Sequence, residues 1–221
     1  MNSDDLQKHI FATYVNLRIG IAALGLMFPT ILWIGGVFKG IGLQSSMSAY
    51  YHATMNGASM RDPFVGILFA VGLFLILYRG WNAKENWALN FTGLFAIGVA
   101  IFPMEWNCAP NCSRLSLHGF CAISLFLCMA YVCIWCASDT LHLLKNEKLE
   151  KKYSRIYKLL GAGMILAPGI ALFLTVISNK LHAYTFVAEA IGILIFSSYW
   201  LMKSKELALS KAELKVLMGE F

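Results

Sequence analysis

Six long apolar stretches dominate the chain, at 19–40, 63–79, 86–104, 116–138, 157–178 and 183–202. Each is close to the roughly 20 residues that carry a helix across a hydrocarbon core. None alternates apolar with polar positions, which removes a transmembrane β-barrel. Backbone N–H and C=O groups must be satisfied inside lipid, so each stretch is predicted to be a helix. Polar or chain-bending residues separate the stretches, such as Arg79-Gly80-Trp81-Asn82 after the second and Pro103 with 107–113 after the third. Pro29 and Pro168 fall inside the first and fifth, where packed neighbours tolerate proline. No internal repeat is visible. The pattern predicts an all-α membrane protein, one domain over 1–221 built as a single bundle of six transmembrane helices.

Composition agrees with this pattern. Of 221 residues 58% are apolar and 14% charged, with a mean hydropathy of +0.63. Soluble domains run at about 45–50% and about 25%. A soluble enzyme, a disordered tail, a fibre and a nucleic-acid module are all poor fits. The net charge of +6 is informative through its distribution. With the N-terminus inside, 14 of the 18 Lys and Arg fall on the cytoplasmic side, leaving Lys39, Arg61, Arg114 and Lys180 outside. The positive-inside rule then places both termini in the cytoplasm. The basic run over 145–158 reads as part of that signal and as attraction to anionic lipid, not as a nucleic-acid patch. The first 18 residues are amphipathic and the first apolar run is too long for a signal-peptide core, so span one is expected to stay as an anchor. Both chain ends read as short interfacial helices.

On this topology the unusual polar residues gather at the outer side. The longest outer connection, 41–62, carries Ser48, His52 and Asp62. Span four opens with Ser116-Leu117-His118, and span six opens with His182 and holds Glu189 about two turns inside. An ionisable residue within a membrane helix is a functional hypothesis by default. Zinc accepts His nitrogen and carboxylate oxygen and in catalytic sites keeps a position for water. That water becomes a nucleophile near neutral pH while a carboxylate manages the proton. A hydroxyl such as Ser48 suits an oxyanion donor. On a helical end Ser48 and His52, at i and i+4, would share a face.

Ser48-x3-His52 followed by Asp62 at the start of the next helix resembles the N-terminal motif of the CREST superfamily. That group contains the alkaline ceramidases and the adiponectin/progestin-type receptors, seven-helix membrane hydrolases with an intramembrane zinc. The resemblance implies Ser48 as oxyanion helper, His52 as first zinc ligand and Asp62 as acid/base residue. It covers about 15 residues and departs in two respects: the chain lacks a His-x3-His on its last helix and has six spans, not seven. His118 and Glu189 stand in as the remaining expected metal ligands. The Ser46-x-Ser48-x-Tyr50-Tyr51-His52 and Arg61-Asp62-x-Phe64-Val65-Gly66 pattern is also similar to a bacterial six-helix membrane family, a likeness that implies topology and no activity.

Each of these residues has a plain structural reading beside the functional one. Asp62 before Pro63 suits a helix N-cap. His52 beside Tyr50 and Tyr51 suits an interfacial aromatic belt. His118 follows a possible Ser116 N-cap, and Arg61 suits a lipid phosphate or Asp62. Cys108 and Cys112 suit a structural disulfide in an oxidising periplasm, whereas Cys121, Cys128, Cys133 and Cys136 read as small apolar packers. The leading expectation is a zinc-dependent hydrolase of a lipid amide or ester, in a bacterial inner membrane with its site facing the periplasm. The alternatives are a non-enzymatic lipid-binding or assembly protein and a small proton-coupled transporter. The transporter would need ionisable residues on the inner half as well.

Overall fold

A computed structural model describes residues 3–106, 116–177 and 184–210, with backbone alone at 3–4 and 174–177. The expectations for His182, the Cys108–Cys112 pairing and the segment after Ser210 lie outside the described residues. Six α-helices form among them: α1 (Ser3–Phe38), α2 (Arg61–Leu77), α3 (Ala83–Ile101), α4 (Leu117–Tyr131), α5 (Glu147–Ile177) and α6 (Tyr184–Ser210). Each packs on the next, and α6 packs back on α1, so the helices close a ring.

Four segments are long and apolar enough to cross a membrane: Asp5–Phe38, Leu117–Leu144, Glu147–Phe173 and Tyr184–Ser210. The 17-residue α2 extends about 25 Å at 1.5 Å per residue, short of a hydrocarbon core of about 30 Å. It pairs with α3 as a tight hairpin. A Cβ on Gly93 would fall 2.5 Å from the Gly72 carbonyl oxygen, so the two backbones touch where a side chain would hold them apart. Large apolar side chains point outward around the ring, including Leu77 (67% exposed), Leu159 (66%) and Phe173 (63%). That outward face suits lipid and not water.

Helix ends follow local chemistry. Asn82 Oδ1 accepts from Glu85 N (2.8 Å) while Glu85 Oε2 accepts from Trp81 N (2.7 Å), a reciprocal cap that starts α3. Ser116 Oγ accepts from Gly119 N (3.1 Å) at the start of α4, as its position predicts. Asp62 is not the N-cap of α2. Met60 is, and Asp62 lies exposed in the first turn, because the helix begins two residues earlier than the Asp-Pro pair suggests. The N-terminal amphipathic stretch is continuous with span one, so α1 runs unbroken through Pro29. Past Tyr131, α4 widens into a π segment (Val132–Cys136) and tightens into a 3₁₀ helix (Ala137–Leu144).

The loop between α1 and α2 is ordered. A short hairpin pairs β1 (Thr54–Met55) with β2 (Ala58–Ser59). Its turn is Asn56-Gly57, both at positive φ (49° and 79°), the requirement of a type I′ turn. Lys39 Nζ donates to Ser59 O at 2.7 Å and ties the hairpin to the end of α1.

Candidate active site

The 3₁₀ turn Ser48–Tyr51 presents Ser48 to the bundle. Three side chains hold this turn. Glu189 Oε2, from α6, accepts from Met47 N at 2.6 Å. Ser46 Oγ accepts from Ala49 N at 3.0 Å. Tyr50 is fully buried against Phe186, and its hydroxyl accepts from Gln44 N (3.4 Å); burial pushes its phenol above the ordinary range. Phe186 N donates to Ser45 O (3.0 Å), fastening the loop to the first turn of α6.

Ser48 meets His118, whose side chain is buried near the start of α4. His118 Nε2 lies 2.9 Å from Ser48 Oγ, and Nδ1 lies 2.8 Å from Phe102 O. A carbonyl can only accept, so Nδ1 carries the proton in the neutral ring. That leaves Nε2 as the acceptor of the Ser48 hydroxyl. A serine is thus paired with an imidazole whose tautomer is fixed by a third group, the arrangement of an activated nucleophile. Phe102 ends α3, and its free carbonyl is an ordinary product of a helix C-terminus.

His52 takes a different partner. Its Nε2 lies 2.9 Å from Met104 O, and its ring stacks on Trp106 with centroids 5.2 Å apart. Arg61 sits over Tyr51 at 4.7 Å, so neither Asp62 nor a lipid phosphate is needed to explain it. Ser48 and His52 do not share a face as an α-helix would arrange them, because the turn is 3₁₀ and residues eclipse at i+3.

These contacts test the expected zinc set of His52, His118 and Glu189. Both His118 nitrogens, His52 Nε2 and Glu189 Oε2 are engaged by protein groups. Among the described residues, no group of three His, Cys, Asp or Glu could hold a metal ion. As placed, His52, His118 and Glu189 each meet protein groups and do not converge as a zinc-binding set.

Beneath Ser48 lies a cavity of about 70 Å³. Ser48 and Glu189 are its polar lining side chains, and Phe28, Phe64, Leu68, Leu125 and Ile193 are among its apolar ones. The backbone N–H groups of Met47 and Ala49 are already given to Glu189 Oε2 and Ser46 Oγ.

At the other end of the bundle is a second polar cluster, of which only the basic members, Arg18 and Lys203, entered the charge count, as orientation signals. Lys203 and Glu206, 2% and 0% exposed, pair at 2.9 Å. Thr140 and Tyr157 donate to Glu206 at 2.9 and 3.2 Å. Arg18 and Glu85 are buried there too. The i, i+3 spacing of Lys203 and Glu206, and Asn82-x-x-Glu85, are the signals that would have found it.

Compared with known proteins, the chain matches no family model, no curated protein and no solved structure.

Proposed function

We propose that the protein is a membrane-embedded hydrolase of a lipid ester or amide, with Ser48 as nucleophile and His118 as general base. The observation that carries this reading is the 2.9 Å contact of Ser48 Oγ with an imidazole whose other nitrogen is fixed on the Phe102 carbonyl. Ser48 Oγ attacks the acyl carbon as His118 Nε2 takes its proton. The imidazolium returns that proton to the leaving alcohol or amine. Water then attacks the acyl-serine with His118 as base again, releasing the carboxylic acid and restoring the hydroxyl. Glu189 holds the turn that carries Ser48 through the Met47 N–H. The apolar cavity suits the first carbons of an acyl chain.

The proposal keeps the expected substrate class, a lipid amide or ester, and gives Ser48 the role of attacking group in place of oxyanion helper. In this reading α2 and α3 complete a six-span bundle with both termini cytoplasmic, and the site faces the periplasm of a bacterial inner membrane. The test uses purified protein in detergent micelles with a fluorophosphonate probe and a fluorogenic lipid ester. Ser48 is expected to be labelled, and Ser48→Ala and His118→Ala are each expected to lower turnover by about 10²–10⁴-fold. Undiminished turnover in both variants would sink the proposal. Elemental analysis of the same samples checks for zinc, whose binding would require both imidazoles to exchange their present partners.

One observation favours a proton-coupled carrier as second reading: ionisable side chains are buried at both ends of the bundle. The small pocket between them is lined by apolar residues, Phe28, Leu68, Val71, Leu125 and Phe196 among them, which carry no proton. Proton uptake into vesicles that survives Ser48→Ala would favour the carrier.

A further inference from the structure

We infer that a second site, at the end of the bundle away from Ser48, binds a zwitterionic phosphate ester through its ammonium and phosphate groups, the chemistry of phosphoethanolamine or phosphocholine. Lys203 lies 14 residues beyond Glu189 on α6, about 21 Å along the axis. A cavity of about 300 Å³ opens there. Phe11, Tyr14 and Trp81 contribute aromatic walls, exposed Arg79 stands at the rim, and Glu85 and Lys203, each 2% exposed, form the floor. Tyr78 also lines it, but its ring already faces Arg18 at 5.9 Å.

The partners of each charge decide what the cavity can take. Lys203 is committed, since Nζ donates to Ala137 O (3.0 Å), Thr140 Oγ1 (2.7 Å) and Glu206 Oε2 (2.9 Å). Glu85 is only half committed. Its Oε2 accepts from Trp81 N, while Oε1 accepts no hydrogen bond and has no cation within 4 Å among the described residues. A carboxylate oxygen left open at the floor of a buried cup is costly unless something meets it. Arg79 makes no hydrogen bond or ion pair among the described residues. Lys203 also acts on Glu85 electrostatically from beyond contact distance, and the two charged groups lining the cavity without a contacting ion-pair partner among the described residues, Glu85 at the floor and Arg79 at the rim, are of opposite sign.

A simple anion is a poor occupant, because the nearby N–H groups of Gly80 and Trp81 are already given to Asn86 Oδ1 and Glu85 Oε2. A simple cation leaves Arg79 unmatched. A ligand with an ammonium at one end and a phosphate at the other satisfies both, with the aromatic walls attracting the cationic end and Arg79 meeting phosphate oxygens. The volume accommodates such a headgroup. Either a phospholipid or a free phosphate ester supplies this chemistry.

The test combines two arms on the full chain. In detergent micelles, O-phosphoethanolamine is titrated against tryptophan fluorescence, with inorganic phosphate as control and Trp81→Phe to assign the signal. In nanodiscs of phosphatidylethanolamine and phosphatidylglycerol, native mass spectrometry reads which lipid is retained. Binding of the soluble ester marks a free ligand, and selective retention of phosphatidylethanolamine marks a lipid headgroup. Either result supports the site if Glu85→Gln weakens it about tenfold or more, the scale of one charged hydrogen bond. Glutamine still accepts the Trp81 N–H, and circular dichroism checks its fold. Arg79→Ala, at an exposed position, is expected to weaken binding several-fold and carries the test should Glu85→Gln misfold. Ser48→Ala is expected to bind as the parent, which separates this site from the proposed hydrolase. Inorganic phosphate binding as well as the ester, equal binding by Glu85→Gln, or no binding in either arm overturns the inference.

Discussion

At the scale of single residues, Glu189 changes meaning most between sequence and structure. A carboxyl two turns inside an apolar helix invites a metal or a proton relay, and the sequence holds no nearby cation to pair with it. Its partner is a backbone amide from residue 47, 142 positions away, and no local pattern encodes that meeting. The same holds for His118 and Ser48, 70 positions apart: both were legible as candidates, but not as partners of each other. Two substitutions separate Glu189 as a support from Glu189 as a mere occupant of space. Glu189→Ala leaves the Met47 N–H without its acceptor and is expected to cost about 1–3 kcal/mol, read as a lowered melting temperature in detergent. Glu189→Gln, which still accepts that bond and donates one, is expected to melt near the parent.

Elements were legible where apolar length decided them. All six helices overlap the six apolar stretches, and the Ser116 cap lies where its sequence places it. Ends were less legible, since α5 starts at Glu147, ten residues ahead of its apolar run, on a basic segment that periodicity alone leaves as loop. Asn56-Gly57 carried a strong hairpin signal that a search for membrane spans passes over. The π and 3₁₀ turns after Tyr131 were not legible, and the 3₁₀ part meets Lys203, which donates to the Ala137 carbonyl and the Thr140 hydroxyl from a distant helix. That packing gives a stability prediction. Lys203→Met alone strands a buried carboxylate and is expected to cost about 3–5 kcal/mol, whereas Lys203→Met with Glu206→Leu is expected to recover most of the loss. Thermal melts of both variants make the comparison. Gly93→Val is expected to part α2 from α3, since its Cβ would fall 2.5 Å from the Gly72 oxygen. A reduced yield of folded protein after extraction, restored in Gly93→Ala only in part, is the expected reading.

For the whole molecule, the closed ring of helices brings the α1–α2 loop, α3, α4 and α6 to one end and α1, α3, the 3₁₀ extension of α4 and α6 to the other. Charge counting foresaw an asymmetry between those ends but treated the inner one as an orientation signal. Arg18, Glu85, Lys203 and Glu206 are instead buried within it. The expected orientation is checked by reporter fusions at both termini, each predicted to report the cytoplasm. The bond from Glu189 to Met47 also has a consequence for biogenesis. Ser48 leaves the ribosome early and the last helix late, so the turn that carries the serine lacks its support through most of synthesis. A nascent chain stalled before residue 184 would hold every helix but one, and its α1–α2 loop would lack the contacts that Glu189 and Phe186 supply. The contact between Glu189 and Met47 can form only once the final helix has been made, so under the proposed reading the site is completed last.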